Sequence, residues 1–93
     1  GVRYRFIAKD LAILNEVPQG AFIQELVAGG PAEKAGVEVG DIITKINGES
    51  VDSENKISET IQKATIGQRL DLTLWRDGKE VKVTATLEEL PAE

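Results

Sequence analysis

The reactive side chains of this 93-residue sequence are carboxylates, amines and hydroxyls, for it contains neither histidine nor cysteine. A Ser-His-Asp or Cys-His set is therefore excluded outright, because both need an imidazole to carry the proton. A serine activated by a lysine is formally open to Ser50, Ser53 and Ser58, yet hydroxyls at such positions suit helix caps and exposed surface just as well. Asp52 and Glu54 imitate the spacing of an acid/base pair. Both stand where a helical pattern begins, and negative charge is favoured there for structural reasons alone. Gly29-Gly30 does not make a phosphate cradle, since Pro31 removes an N–H that such a loop needs. The acidic residues lack the spacing of a calcium loop. The expectation is a chain with no catalytic residue, no metal ligand and no cofactor.

Composition narrows the partners. The 16 acidic against 11 basic residues leave a net charge of −5, which argues against nucleic acid, whose affinity comes mainly from Lys and Arg on phosphates. No apolar run approaches the roughly 18–20 residues needed to span a bilayer, and no charged, apolar and small-residue leader opens the chain, so no direct membrane insertion is expected. A chain of this size makes one domain that buries about 60–65% of its unfolded surface. Without cysteine, the redox compartment leaves no mark. The sequence is compatible with a piece of a longer, exported or anchored protein.

The elements that must position any site are organised around residues 29–48. Gly30 suits a helix N-cap, Pro31 its first turn, and Gly36 the left-handed residue that stops it, which gives a helix of little more than one turn. Gly40-Asp41 turns the chain into the β-branched run Ile42, Ile43 and Ile46, and Asn47-Gly48 ends that strand in a tight turn. Upstream, Val2, Tyr4 and Phe6 alternate with Arg3 and Arg5 as a half-buried strand does. Residues 9–16 place Leu11, Ile13 and Leu14 at helical spacing, and Pro18-Gln19-Gly20 closes that helix. The block from Ala21 to Ala28, with Phe22, Ile23, Leu26 and Val27, has strand length. Val51 belongs to a very short strand after the Asn47-Gly48 turn.

From Ser53 to Ala64 the period becomes helical, with Ser53 as N-cap and Ile57, Ile61 and Ala64 on one face. Leu70, Leu72 and Leu74 then alternate, Asp77-Gly78 signals a type I′ hairpin, and Val81, Val83, Ala85 and Leu87 continue the alternation on the returning strand. Trp75 falls on the face opposite Leu72 and Leu74, as a partly exposed cross-strand residue. Residues 1–90 are read as the domain and 91–93, after Pro91, as a tail or linker. The class is α+β: a small, strongly curved antiparallel sheet, sandwich-like or a partly open barrel, capped by two helices.

Residues 29–48 resemble the SPAxxAGLxxGDxIxxxNG segment of PDZ domains, above all those of bacterial HtrA (Deg) serine endoproteases, with Gly-Gly-Pro where Gly-Ser-Pro is more usual. The first strand, the helix after it, the Gly-Asp-Ile-Ile block, the long helix and the Arg76-Asp77-Gly78-Lys79 hairpin carry the resemblance along nearly the whole chain. It implies the circularly permuted strand order of the bacterial proteins. It further implies a non-catalytic regulatory module, in an extracytoplasmic (periplasmic or cell-envelope) protein, that captures extended, apolar C-terminal tails of unfolded or signalling polypeptides and regulates or targets a serine protease domain of the same chain. Such a tail adds a strand to an exposed sheet edge while pockets select alternate side chains.

By this resemblance the receiving edge is Gly1, Val2, Arg3, Tyr4, Arg5 and Phe6, and the opposite wall is the helix bearing Glu54, Ile57, Ser58 and Ile61. An apolar-Gly-apolar turn holds the peptide carboxylate on backbone N–H groups, and Gly1 and Val2 match its last two positions. Val2, Ile61 and Ile57 would line the pocket for the last side chain, with Tyr4 extending the wall. Arg3 and Arg5, on the other side of the strand, would meet acidic peptide side chains or simply keep the edge solvated. Glu54 and Ser58 would touch upstream peptide positions. Two other readings stay open: a PDZ domain of a site-2 or C-terminal processing protease, and a packing or oligomerisation domain with no free peptide.

Overall fold

The computed structural model describes residues 2–53, 55–63, 65 and 67–86, and the backbone alone at Val2, Ser58, Ile61 and Gln62. The expected domain limit at residue 90, the tail 91–93, Leu87 and Ala64 lie outside the described residues. Along the chain come β1 (Val2–Ile7), α1 (Lys9–Leu14), β2 (Gly20–Leu26), α2 (Pro31–Ala35), β3 (Ile42–Ile46), β4 (Glu49–Ser50), α3 (Asn55–Lys63), β5 (Arg69–Arg76) and β6 (Lys79–Thr86). The strands form one antiparallel sheet in the order β1-β2-β3-β5-β6, with β4 added to β3, so β1 and β6 are its two edges and the sheet is open. This is the expected α+β class.

Period-two patterning explains which face is buried. Phe6, Ala21, Ile43, Leu74 and Val81 stand in register from edge to edge, and all belong to or pack against the core cluster. The next row, Arg5, Phe22, Ile42, Trp75 and Glu80, must face the other way, because successive side chains leave opposite sides of the pleat. Trp75 is half-buried there, as its place opposite Leu72 and Leu74 predicted, while Ile42 is covered almost completely at 2% exposure. Ile23, Val37, Ile46, Val51, Ile57, Leu70, Leu72 and Ala85 complete the main core.

The turn chemistry read from the sequence is found in place. Gly30 precedes α2 in extended conformation, Pro31 opens it and Gly36 closes it at φ 101°, with the Gly36 and Val37 N–H groups bonding back to the last turn. Asn47-Gly48 and Asp77-Gly78 both take two successive positive φ values, the signature of type I′ hairpins, between β3 and β4 and between β5 and β6. Val51 is buried, but the short strand it was expected to occupy ends one residue earlier at Ser50. Helix α3 begins at Asn55, and Ser53 contributes its carbonyl to the Lys56 N–H at 3.2 Å.

Helix α1 departs from the reading of its apolar residues. It ends at Leu14, and Ala12 is its buried residue, while Leu11, Ile13 and Leu14 are 41%, 67% and 80% exposed. In a six-residue helix, where the flanking strands fix both ends, that suspension decides which face turns inward and the spacing of apolar residues does not. Val27, grouped with the strand block, lies beyond β2 and is 52% exposed. Leu14→Glu is accordingly expected to change stability by no more than about 0.5 kcal/mol in denaturant unfolding. A loss several times larger would mean that the leucine is covered.

Candidate functional site

Strand β1 is held on one side only, by β2, and its outer edge is unpaired among the described residues. An edge of this kind presents backbone donors and acceptors to any further strand. The ladder with β2 is interrupted: Arg3 faces Glu25 and Tyr4 faces Ile23, so Gln24 is an extra residue on β2. Such a bulge bends the strand and re-aims its neighbours. A cleft of about 490 Å³ opens at this place, lined by Tyr4, Arg5, Phe6 and Gln24. Tyr4 and Phe6 are half-buried and pack against the core cluster from the edge.

Of the expected site residues, the structure brings Tyr4, Arg5 and Phe6 together at the cleft. Val2 sits opposite Leu26 at the start of the same strand. Arg3 is exposed on the other face and pairs with Glu25 at 3.3 Å. Ile57, Ser58 and Ile61 lie on α3, and Ile57 is 5% exposed inside the core cluster, where it shapes the interior and presents little surface. Gly1 and Glu54 lie outside the described residues, as do the side chains of Val2, Ser58 and Ile61. Gln24 was missed by sequence reasoning. The available signal was the break in alternation between Ala21, Ile23 and Leu26, which strict period two would have placed at an odd-numbered residue.

Behind the edge stands a polar keystone. Asp41 is 1% exposed, and its carboxylate accepts from Arg76 Nε at 2.8 Å, from Arg76 Nη2 at 2.7 Å and from the Glu38 N–H at 2.8 Å. Arg76 also donates to the Gly36 carbonyl at 2.7 Å and pairs with Glu38 at 3.1 Å. Burial by itself would raise the Asp41 pKa, but the Arg76 and Glu38 hydrogen bonds and the guanidinium charge together hold it below the ordinary aspartate value. The hydrogen bond to Asp41 holds Arg76 charged well above its ordinary range. The Asp41 backbone meanwhile accepts from the Ile23 N–H at 2.9 Å, and Ile23 returns the link by accepting from the Gly40 N–H at 2.9 Å. One residue thus fixes the end of β5 and the middle of β2.

A second cleft, of about 280 Å³, lies between Asn47, Glu49, Lys56, Glu59, Thr60, Lys63 and Gln68. It is crossed by a Lys56–Glu49 ion pair at 3.5 Å. Among the described residues no cluster of three or more His, Cys, Asp or Glu is placed to hold a metal.

The free edge, the cleft beside it and the open antiparallel sheet define a small α+β module able to accept one more strand. A family model described as PDZ domain matches residues 22–76, and the chain belongs to that family. It is 35% identical over 96 residues to a probable periplasmic serine endoprotease, DegP-like, of Rhizobium meliloti (strain 1021), a match covering 100% of this chain and 19% of that one. The chain spans about a fifth of the length of the curated relatives it matches. Among solved structures it is similar to the HtrA3 PDZ domain bound to a phage-derived ligand (FGRWV), with a TM-score of 0.78 and 27% identity over 92% of this chain and 80% of that one. It also shares the fold of the HtrA-type protease AlgW with decapeptide, with a TM-score of 0.83 and 22% identity over 100% of this chain and 29% of that one. The resemblance to PDZ domains of the HtrA kind therefore holds along the whole chain.

Proposed function

We propose that this domain captures extended, apolar peptide C-termini by adding them as a strand to β1, and that it regulates or targets a separate serine protease domain. The domain itself is non-catalytic in this reading, and the protein that carries it works outside the cytoplasm. The observation that carries the proposal is the edge of β1, unpaired among the described residues, beside a cleft lined in part by half-buried Tyr4 and Phe6. Relatives named as periplasmic serine endoproteases support the setting, and the peptide-bound HtrA3 PDZ domain supports the mode. Gly1 and Val2 would supply N–H groups to the peptide carboxylate, and Val2, Tyr4, Ile57 and Ile61 would receive the last apolar side chain. Glu54 and Ser58 would meet residues further upstream.

The test is an isotope-edited titration of this chain with apolar-ended peptides carrying either a free carboxylate or an amide. Hydrogen bonds to a charged group contribute about 1.5–3 kcal/mol, so acids are expected to bind at least about tenfold more tightly than amides. Shifts should concentrate in β1. Equal binding of acids and amides would remove carboxylate capture, and no binding of either would leave the domain a packing element.

A further inference from the structure

The two arginines of β1 stand on one face of one strand, yet they are in different electrostatic states. Arg3 donates from Nη1 to Glu25 Oε2 at 3.3 Å, across the ladder. Arg5 stands opposite uncharged Phe22, and among the described residues its exposed guanidinium has no ion pair and no hydrogen bond. The bulge creates this difference. If the register that pairs Arg5 with Phe22 and Tyr4 with Ile23 ran on unbroken, Arg3 would meet Gln24; the extra residue brings Glu25 there instead. Arg5 also lines the cleft. In a chain of net charge −5, it is an uncompensated cation at the edge where a ligand strand would lie.

We infer that Arg5 is a specificity position, selecting an acidic side chain at the fourth residue from the peptide's C-terminus, and that Arg3 selects nothing at the penultimate residue. The inference rests on the strand addition proposed above, with the peptide's last residue opposite Val2. Counting back along an antiparallel partner, the penultimate residue then faces Arg3, the third from last faces Tyr4, and the fourth from last faces Arg5. Directly opposed residues share a face, with Cβ atoms about 4.5–5.5 Å apart, so a glutamate at the fourth position reaches the Arg5 guanidinium. The penultimate residue finds Arg3 already paired with Glu25, whose carboxylate stands close enough to repel an acid. Exposed pairs are weak and screened by salt, so the preference is modest: about two- to fivefold at low ionic strength, fading above about 0.5 M salt.

The test measures fluorescence-polarisation affinities of apolar-ended peptides with Glu or Gln at the fourth-from-last or the penultimate position, against the parent chain, Arg5→Gln and Glu25→Gln. In the parent, Glu at the fourth position is expected to bind about two- to fivefold more tightly than Gln, and Glu at the penultimate position is expected to gain nothing. The first gain should vanish in Arg5→Gln, while Glu25→Gln should create a penultimate gain by releasing Arg3. Peptides that bind regardless of charge at the fourth position, or a gain that survives Arg5→Gln, would overturn the role of Arg5 and leave strand addition standing. Failure of every peptide to bind would overturn both.

Discussion

Asp41→Ala is expected to lose about 3–5 kcal/mol of stability at neutral pH, the range found when one partner of a buried ion pair is removed. In a domain of this size, that corresponds to a melting temperature lower by roughly 15 °C or more. The cost has two sources. The carboxylate is 1% exposed and accepts three hydrogen bonds, so its removal strands the Glu38 N–H and two donors of Arg76 at once. The replacement also leaves the arginine charge balanced only by the more exposed Glu38 carboxylate.

Asp41→Asn keeps the shape and isolates the charge. The native pKa of Asp41 lies below the ordinary value of about 3.9, so its contribution is fully present above that value and is lost as pH falls through the lower native one. The stability gap between parent and Asp41→Asn should therefore be constant above about pH 5 and close progressively below about pH 4. Thermal melts between pH 2 and 7 read it directly. A gap that persists unchanged at pH 2 would show that the carboxylate's charge contributes nothing.

Gly20→Ala is expected to destabilise by about 3 kcal/mol, the upper part of the range for forced overpacking, and to weaken peptide binding with it. A Cβ at this position would be driven onto the Ile43 carbonyl oxygen and would stand 3.0 Å from Ile42 Cγ2. The first obstacle is backbone and cannot rotate away, so β2 must move off β3. That movement carries β1, which among the described residues is hydrogen-bonded into the sheet through β2 alone. Urea unfolding and peptide titration of the same variant separate the two effects. A variant as stable as the parent would mean that the two strands part without cost.

The features legible from sequence were those set by a few adjacent residues. Pro31, Gly36, Asn47-Gly48 and Asp77-Gly78 each impose a backbone geometry whatever surrounds them, and each was found where expected. Alternation along β6 and the first half of β5 was equally direct, because a half-buried strand shows its faces residue by residue, whereas buried Thr73 breaks the pattern further along β5. The rest depended on distance. Arg76 meets Asp41 across 35 positions of chain, and nothing near either residue announces the other. The exposure of Leu14 follows from how α1 hangs between two strands. Arg3 and Arg5 look equivalent in the sequence, and a bulge on the neighbouring strand is what separates them. For the candidate site, the edge strand and its alternation were legible, while Gln24 and the pairing of Arg3 with Glu25 were not.

The β1–β2 ribbon joins the remainder of the sheet through the pairs Ala21–Ile43 and Phe22–Ile42 and the Ile23 links to residues 40 and 41, a far shorter seam than the eight paired positions that join β5 to β6. Segments so lightly attached open at a lower free energy than the whole molecule unfolds. Amide protons of β1 should thus exchange with deuterium well before those of β5. A guest that gives β1 a second neighbour closes this opening, so occupancy would be written in slowed exchange on the far side of the ribbon from the guest as well as beside it.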